Sequence, residues 1–212
     1  MEKSNEGGIF VIKKASFSEL ALSLFLVLVY VGLPVFILIG FIPFDYKFYV
    51  LTVGAVIVYV VARTTGLSNE ALGITTNNAK PSVMAVLPFT LILVIIGIVI
   101  WISGYSRMTP NETWPFFIFY IFVSSPVQEF LYRGALPAFL RKRHFNNSSV
   151  CFISTFLYSF VHIIYKDWLT LLFTFAIGLI WFFCYNKSKN LIGVSFSHAI
   201  LGVITIIAGI ID

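Results

Sequence analysis

Seven long apolar stretches constrain the fold of this chain more than any other feature of its sequence. A helix of roughly 17–25 apolar residues crosses a hydrocarbon core of roughly 30 Å, and helices satisfy their own backbone hydrogen bonds there. Hydrophobic residues make up 59% of the chain and charged residues 11%, which is unlike a soluble domain. The sequence therefore predicts an all-α, polytopic transmembrane helix bundle with spans near 17–43, 46–62, 81–103, 113–140, 148–165, 168–185 and 190–211.

Basic residues are unevenly distributed between the two sides of this predicted bundle. Cytoplasmic loops of membrane proteins collect Lys and Arg. Ten basic residues fall on one side, namely Lys3, Lys13, Lys14, Arg63, Lys80, Arg141, Lys142, Arg143, Lys187 and Lys189, and three on the other, namely Lys47, Arg107 and Lys166. We therefore expect a cytoplasmic N-terminus and an external C-terminus. The same topology accounts for the net charge of +5, so nothing in the composition calls for a nucleic acid partner.

The chain shows no internal repeat, low-complexity tract or long linker. We expect residues 1–212 to form a single integral membrane domain, with a cytoplasmic tail at 1–16 and a first apolar run that is retained as an anchor. Cys151 and Cys184 lie inside apolar segments without a C-x-x-C spacing. They are expected to be buried free thiols.

Four ionisable residues fall inside the predicted spans: Glu129, Arg133, His162 and His198. A charged side chain in mid-membrane costs about 2.5–3.5 kcal/mol on insertion scales, so such groups face a partner or a water-filled cavity. Glu129 and Arg133 are four positions apart, which places them on one helix face as an ion pair. Pro126 adds irregular backbone just ahead of Gln128. We expect all four residues to converge in one polar cavity.

The two histidines allow more than one interpretation. His162 follows Tyr158 and Ser159 on one helix face, and His198 lies between Ser195 and Gly202 in a stripe of small residues, so each could be a satisfied core residue. Alternatively, a Glu and a His could polarise a water while a second His stabilises an oxyanion. The set His162, His198 and Glu129 could also hold a divalent metal such as zinc with an open water position.

Three segments in order, "QEFLYRG", "YSFVH" and "SFSHAILG", resemble the three motifs of the CPBP intramembrane proteases. That family includes the CAAX prenyl endopeptidases and bacteriocin-processing or immunity proteins. The resemblance covers residues 113–205, the motif-bearing core. It implies an integral protein of the bacterial cell membrane and an intramembrane endopeptidase activity, glutamate- or metal-dependent.

Two positions depart from the family motifs, which read Glu-Glu-x-x-x-Arg, Phe-x-x-x-His and His-x-x-x-Asn. The resemblance matches them in order to Gln128, Glu129 and Arg133, to Tyr158 and His162, and to His198 and Gly202. It implies that the first Glu activates water with the second-motif His, and that the third motif surrounds the oxyanion. Gln128 cannot act as a general base, and Gly202 has no side chain that donates. Glu129 and Arg133 fit a structural ion pair, and Glu129, His162, His198 and Gln128 are the catalytic candidates.

Three functions follow as expectations. The first is an intramembrane endopeptidase that cleaves a peptide or a membrane-protein substrate in a cavity open to the cytoplasm, with an activity weakened by Gln128 and Gly202. The second is a catalytically silent, protease-like binding or immunity protein. The third is a small proton-coupled transporter in which Glu129, His162 and His198 form a relay, although the chain lacks the repeated halves of many carriers.

Overall fold

The computed structural model describes residues 17–211, in which seven helical segments and no strand occur. The predicted tail at 1–16, with Lys3, Lys13 and Lys14, lies outside the described residues. The segments are α1 (17–38), α2 (Lys47–Thr64), α3 (Ala79–Ile102), α4 (114–142), α5 (Asn147–Phe160), α6 (Trp168–Ser188) and α7 (Leu191–Ile207). Short 3₁₀ turns at Phe44–Tyr46 and Val161–Tyr165 precede α2 and follow α5. The all-helical prediction is confirmed.

Segments α1 and α4 are continuous but contain π-helical turns. In α1 the π turn is Leu28–Gly32, between Phe17–Val27 and Leu33–Leu38. In α4 the π turns are Tyr120–Ser124 and Phe130–Ala135, between Trp114–Phe119, Ser125–Glu129 and Leu136–Lys142. Each π turn directly precedes an α segment whose second residue is proline. A proline has no N–H to donate and crowds the preceding turn, and the wider π register accommodates it.

Five helical stretches among the described residues are long and apolar enough to cross a membrane: Glu19–Leu38, Phe44–Thr64, Ala79–Ile102, Asn147–Tyr165 and Trp168–Ser188. Helix α7 is shorter, and α4 carries Glu129, Arg133, Arg141 and Lys142. All seven helical segments fall on the seven predicted spans. Seven crossings and the N-in, C-out orientation stay predictions.

Two predicted span ends were wrong. The first span was expected to reach residue 43 and the last to reach 211, but their helices end at Leu38 and Ile207. Gly40 and Gly209, with φ of 78° and 61°, adopt the left-handed conformation that terminates helices. Apolar composition continues past each end, so hydropathy alone did not detect the stop.

The bundle buries a set of polar side chains beside an apolar core and exposes large apolar side chains on its outside. Buried polar side chains include Ser124, Glu129, Arg133, Ser154, Thr170 and Ser197, whereas large apolar side chains such as Leu24, Val53, Ile95, Phe152 and Leu172 are exposed. An exposed apolar surface of this kind suits a lipid environment. Together with the length of its apolar helices, this makes the chain an integral membrane protein.

Small residues bring α7 close to its neighbours. The Ser82 hydroxyl on α3 donates to the Asn190 carbonyl at 2.9 Å and accepts from the Gly193 N–H at 2.9 Å. A side chain at Gly193 would overlap the Ser82 backbone. This close approach is typical of packing between membrane helices, and it fixes the position of α7 and therefore of His198.

Candidate active site

Glu129 is the centre of a fully buried ionic cluster. Its Oε1 accepts from Arg133 Nη1 at 3.2 Å and from His198 Nδ1 at 2.6 Å. The side chains of Glu129 and Arg133 are 0% exposed and that of His198 is 4% exposed. The i,i+4 spacing on α4 produces the first contact, whereas the second depends on the packing of α7 against α4. We call these three residues the ionic cluster.

Aromatic rings compensate for the burial of the Arg133 guanidinium. Its Cζ lies 3.9 Å from the centroid of the Tyr158 ring and 5.3 Å from that of Trp181. Nη2 also donates to the Gly178 carbonyl at 3.4 Å. Cation–π contacts of this type strengthen when they are desolvated, so Arg133 is held by a carboxylate, a carbonyl and two rings.

His198 is fixed by contacts on several sides. Its ring stacks on Trp181 at 4.7 Å with an interplanar angle of 21°, and the Trp181 Nε1 donates to Ser197 Oγ at 2.9 Å. Because a carboxylate only accepts, Nδ1 of His198 carries the proton that Glu129 binds. The remaining ring nitrogen, Nε2, is the atom left for chemistry.

His162 lies at the other end of the same aromatic cluster. It is half-buried in the 3₁₀ turn Val161–Tyr165, and its ring meets Tyr158 edge-on at 5.1 Å. Its Nδ1 lies 2.8 Å from the Tyr158 carbonyl oxygen. A carbonyl oxygen only accepts, so this contact assigns the proton to Nδ1 and leaves the Nε2 lone pair available. Tyr158 thus separates His162 from His198, whose ring it also meets edge-on at 5.9 Å.

Gln128 lies outside the ionic cluster although it precedes Glu129 in sequence. Neighbouring helix residues point about 100° apart. The Gln128 Nε2 donates to Ser124 Oγ at 3.1 Å, and the side chain lines a cavity together with His162. The predicted site residues therefore separate into the ionic cluster and a cavity pair, which we define as Gln128 and His162.

Two cavities meet at this site. The first, of about 120 Å³, is lined by the cavity pair, and the second, of about 300 Å³, is lined by His162 and His198. Tyr120 and His162 line both cavities. Tyr120 and His162 therefore lie between the two cavities, whose walls are largely apolar, whereas Glu129 lines neither cavity.

The first cavity extends toward the basic-poor end of the bundle. Its lining includes Lys47, Glu112, Tyr165 and Ile211, which belong to the ends and loops opposite the basic segments. The expectation of a cavity open to the cytoplasm stays a prediction, because it depends on the orientation of the bundle. The motif residues lie ahead of the basic end of α4, and the first cavity is formed by the basic-poor ends of α1 and α2 and by the turn that follows α5.

The space beside Gly202 is occupied by a side chain from another helix. A Cβ at this position would overlap the hydroxyl of Tyr120 on α4. The Tyr120 ring also meets His198 edge-on at 6.0 Å and stacks on Phe116 at 5.8 Å. Sequence reasoning missed Tyr120 because it lies outside the three motifs, and its contact with Gly202 joins residues 82 positions apart.

The predicted metal ligands do not form a three-ligand site. Within residues 17–211, no three His, Cys, Asp or Glu side chains are grouped so that they could hold a metal ion. Glu129 and His198 bond to each other, while His162 bonds to a carbonyl. The zinc set of His162, His198 and Glu129 does not fit this geometry. Cys151 and Cys184 are free and buried.

Comparison with known proteins supports one family. Residues 110–204 match the family model described as Rce1-like, type II CAAX prenyl endopeptidase. No curated protein and no solved structure matches the chain. The matched region contains every motif residue discussed above, from Gln128 to Gly202, and confirms the resemblance to the CPBP proteases. The segment 110–204 of this membrane protein is thus similar to the family described as Rce1-like, type II CAAX prenyl endopeptidase.

Proposed function

We propose that this protein is an intramembrane endopeptidase that hydrolyses one bond of a peptide or of a membrane-protein segment. The observation that carries the proposal is the environment of His162. Its Nδ1 faces the Tyr158 carbonyl, so its Nε2 keeps a lone pair, and the ring lines both cavities. A neutral imidazole with a free nitrogen in a cavity wall is suited to general base catalysis.

Glu129 is poorly placed to be the base. Its Oε1 already accepts from both Arg133 and His198, and the side chain is 0% exposed. Removing it from these contacts would leave a buried guanidinium without its counter-ion, at a cost of about 3–5 kcal/mol. We therefore assign Glu129 the task of orienting His198, as carboxylates orient histidines in other hydrolytic sites.

Gln128 supplies a polar group without the proton-accepting power of a carboxylate. With its amide nitrogen bonded to Ser124, its amide oxygen remains to accept from a water beside His162. In this proposal Gln128 positions the water and His162 takes its proton. Turnover is consequently slow compared with a site that has two acid–base groups.

A second function, peptide binding without cleavage, is favoured by the same residue. The cavity pair contains an amide where the family motif has a carboxylate, while the apolar walls of both cavities are retained. Such a protein would hold a peptide in an immunity or scaffolding role. The two functions differ in chemistry and share the binding cavity.

The test uses the purified protein in lipid with a library of peptides, and mass spectrometry detects the products. We expect slow cleavage by the parent, none by His162→Ala, and faster cleavage by Gln128→Glu, because a nearly isosteric carboxylate adds a second base worth roughly 10²-fold or more. Tyr49→Phe, on the exposed side of α2, serves as the control variant.

Each outcome separates the two functions. Peptide binding by the parent without cleavage by the parent or by Gln128→Glu would replace the endopeptidase with the binding protein. An active parent whose rate falls on Gln128→Glu would contradict the assignment of His162 as the base.

A further inference from the structure

Tyr120 occupies the space of the side chain that residue 202 lacks. The atoms nearest to a Cβ built on Gly202 are the hydroxyl oxygen, Cε1 and Cζ of Tyr120. The end of the phenol therefore lies where a side chain from α7 would begin. No residue other than glycine at 202 leaves this room, so Gly202 and Tyr120 form one complementary feature.

The Tyr120 hydroxyl belongs to the region where both cavities meet. Tyr120 lines the first cavity with Gln128 and His162, and it lines the second with His162 and His198. Its ring meets His198 edge-on at 6.0 Å. Tyr120 thus borders both cavities, as His162 does, and contacts His198 through its ring.

The α4 backbone explains how a residue outside the motifs reaches this point. Tyr120 begins the π turn Tyr120–Ser124, whose last residue binds Gln128 through its hydroxyl. Tyr120, Ser124 and Gln128 follow one another at intervals of four, which places them along one side of the helix. The helix therefore presents Tyr120 and Gln128 to the first cavity, with the buried Ser124 between them.

The neighbour that can hydrogen-bond to the Tyr120 hydroxyl is Ser125, and the Glu129 carboxylate also acts on Tyr120 electrostatically. The Ser125 hydroxyl is buried and has no hydrogen bond of ordinary geometry among the described residues. A phenol with only this weak local partner can turn its O–H toward an incoming oxygen, because hydroxyl protons rotate freely.

We propose that Tyr120 is the hydrogen-bond donor to the oxyanion of the tetrahedral intermediate, the role for which Gly202 offers no side chain. The proposal rests on the endopeptidase function above. Water attacks the peptide carbonyl carbon and its proton passes to His162 Nε2, while the carbonyl π electrons move to the oxygen. The resulting oxyanion accepts a hydrogen bond from the Tyr120 O–H, which keeps its proton. Collapse restores the carbonyl, breaks the C–N bond and returns the proton from His162 to the leaving amine.

A neutral phenol in a cavity with apolar walls is effective in this role. Donors aimed at a developing oxyanion act strongly where water is excluded, and removal of one typically lowers kcat by about 10²–10³-fold. Such a donor acts in the transition state, so its loss changes kcat much more than KM.

The test is Tyr120→Phe, which keeps the ring contacts with His198 and Phe116 and removes one oxygen. It is made in the parent and in Gln128→Glu, with Tyr49→Phe as the matched loss of an exposed phenol hydroxyl that lines neither cavity. We expect kcat to fall by about 10²–10³-fold with KM within a factor of a few and an unchanged melting temperature. Tyr120→Ala combined with Gly202→Asn should recover part of the rate lost in Tyr120→Ala, because the space is then free for an amide donor.

The outcomes distinguish the two proposals. If cleavage depends on His162 but Tyr120→Phe keeps its full kcat, the donor role is wrong and the endopeptidase stands. An equal rise in KM with unchanged kcat would make Tyr120 a substrate-binding residue and would likewise overturn the donor role. If neither the parent nor Gln128→Glu cleaves any peptide, both the endopeptidase function and the donor role of Tyr120 are wrong.

Discussion

Gln128 and Glu129 are adjacent in sequence, yet their environments differ in almost every respect. Glu129 is 0% exposed and binds Arg133 and His198, whereas Gln128 is at the edge of a cavity and binds only Ser124 among the described side chains. Two polar residues next to each other on a helix point to different neighbours. The comparison teaches that adjacent positions of one helix can be committed to different tasks, one to a buried ion pair and the other to the wall of a cavity.

The largest expected effect is the loss of the ionic cluster. Glu129→Ala leaves the Arg133 guanidinium buried among Tyr158, Trp181 and Gly178 without a counter-ion. Breaking a buried pair in this way costs about 3–5 kcal/mol, so the variant should accumulate poorly in membranes. The measurements are membrane abundance and thermal melting in detergent. A variant that melts like the parent would show that Glu129 has no structural role, and the contrast drawn between Glu129 and Gln128 would then be wrong.

The next largest effect is expected where Gly202 of α7 contacts Tyr120 of α4, between the ionic cluster and the cavities. Gly202→Ala places a methyl group against the Tyr120 hydroxyl, and such overpacking typically costs about 1–3 kcal/mol. We expect a lower melting temperature, restored in Gly202→Ala combined with Tyr120→Ala. Gly202→Asn alone should be at least as destabilising, so an amide cannot simply be added at this position. Full stability of Gly202→Ala would mean that Tyr120 does not occupy the site.

A smaller effect is expected at the cavity pair. Gln128→Ala removes one hydrogen bond to Ser124, whose net contribution is about 0.5–1.5 kcal/mol. The melting temperature should therefore change much less than in Glu129→Ala, while cleavage should fall because the water loses its acceptor. Gln128→Ala and Glu129→Ala are a matched pair, because they shorten adjacent side chains of the same helix to the same methyl group. Equal destabilisation by both would remove the distinction between the two positions.

The smallest effect is expected for an ion pair at the basic-poor end, outside the helices. Arg107 Nη2 and Asp167 Oδ1 lie 2.7 Å apart, with side chains 18% and 14% exposed. A pair with this access to water is worth about 0–1 kcal/mol. Asp167→Asn should thus lower the melting temperature slightly at neutral pH, in contrast to the fully buried pair on α4.

The pH dependence of this outer pair follows from its contacts. The Thr170 hydroxyl and the Arg107 guanidinium lower the pKa of Asp167 from 3.8 to about 2. Because the folded-state pKa is depressed, the stabilisation is fully present above pH 3.8 and is lost as the pH falls through 2. The melting difference between parent and Asp167→Asn should therefore persist at pH 5 and diminish near that lower limit; a difference that disappears above pH 5 would contradict the assignment.

The helices and the first contact of the ionic cluster could be predicted from local patterns. Apolar runs predicted all seven helical segments, and the i,i+4 spacing indicated the contact between Glu129 and Arg133. The contact between Glu129 and His198 joins residues 69 positions apart and depends on how α7 packs against α4. No local signal specifies that distance.

Tyr120 shows why the rest could not be predicted. The proposed donor role of Tyr120 depends on three features: Gly202 has no side chain, a π turn begins at Tyr120, and α4 packs closely against α7. Each of these features is a property of the packed bundle. A sequence reader sees a glycine where the family motif has a polar residue and concludes that a donor is missing.

The two π turns of α4 also determine how the site would respond to the loss of a residue from this helix. A π turn is an α-helix with one additional residue, so each turn offsets the residues after it from those before it. The five residues Ser125–Glu129 lie between two such offsets. Deleting one residue from 120–124 would restore a plain α-helix and rotate Gln128 and Glu129 by about 100° relative to Trp114–Phe119. A deletion in this stretch would therefore displace the site residues, whereas exchange of one apolar residue for another on the lipid-facing side would leave them in place.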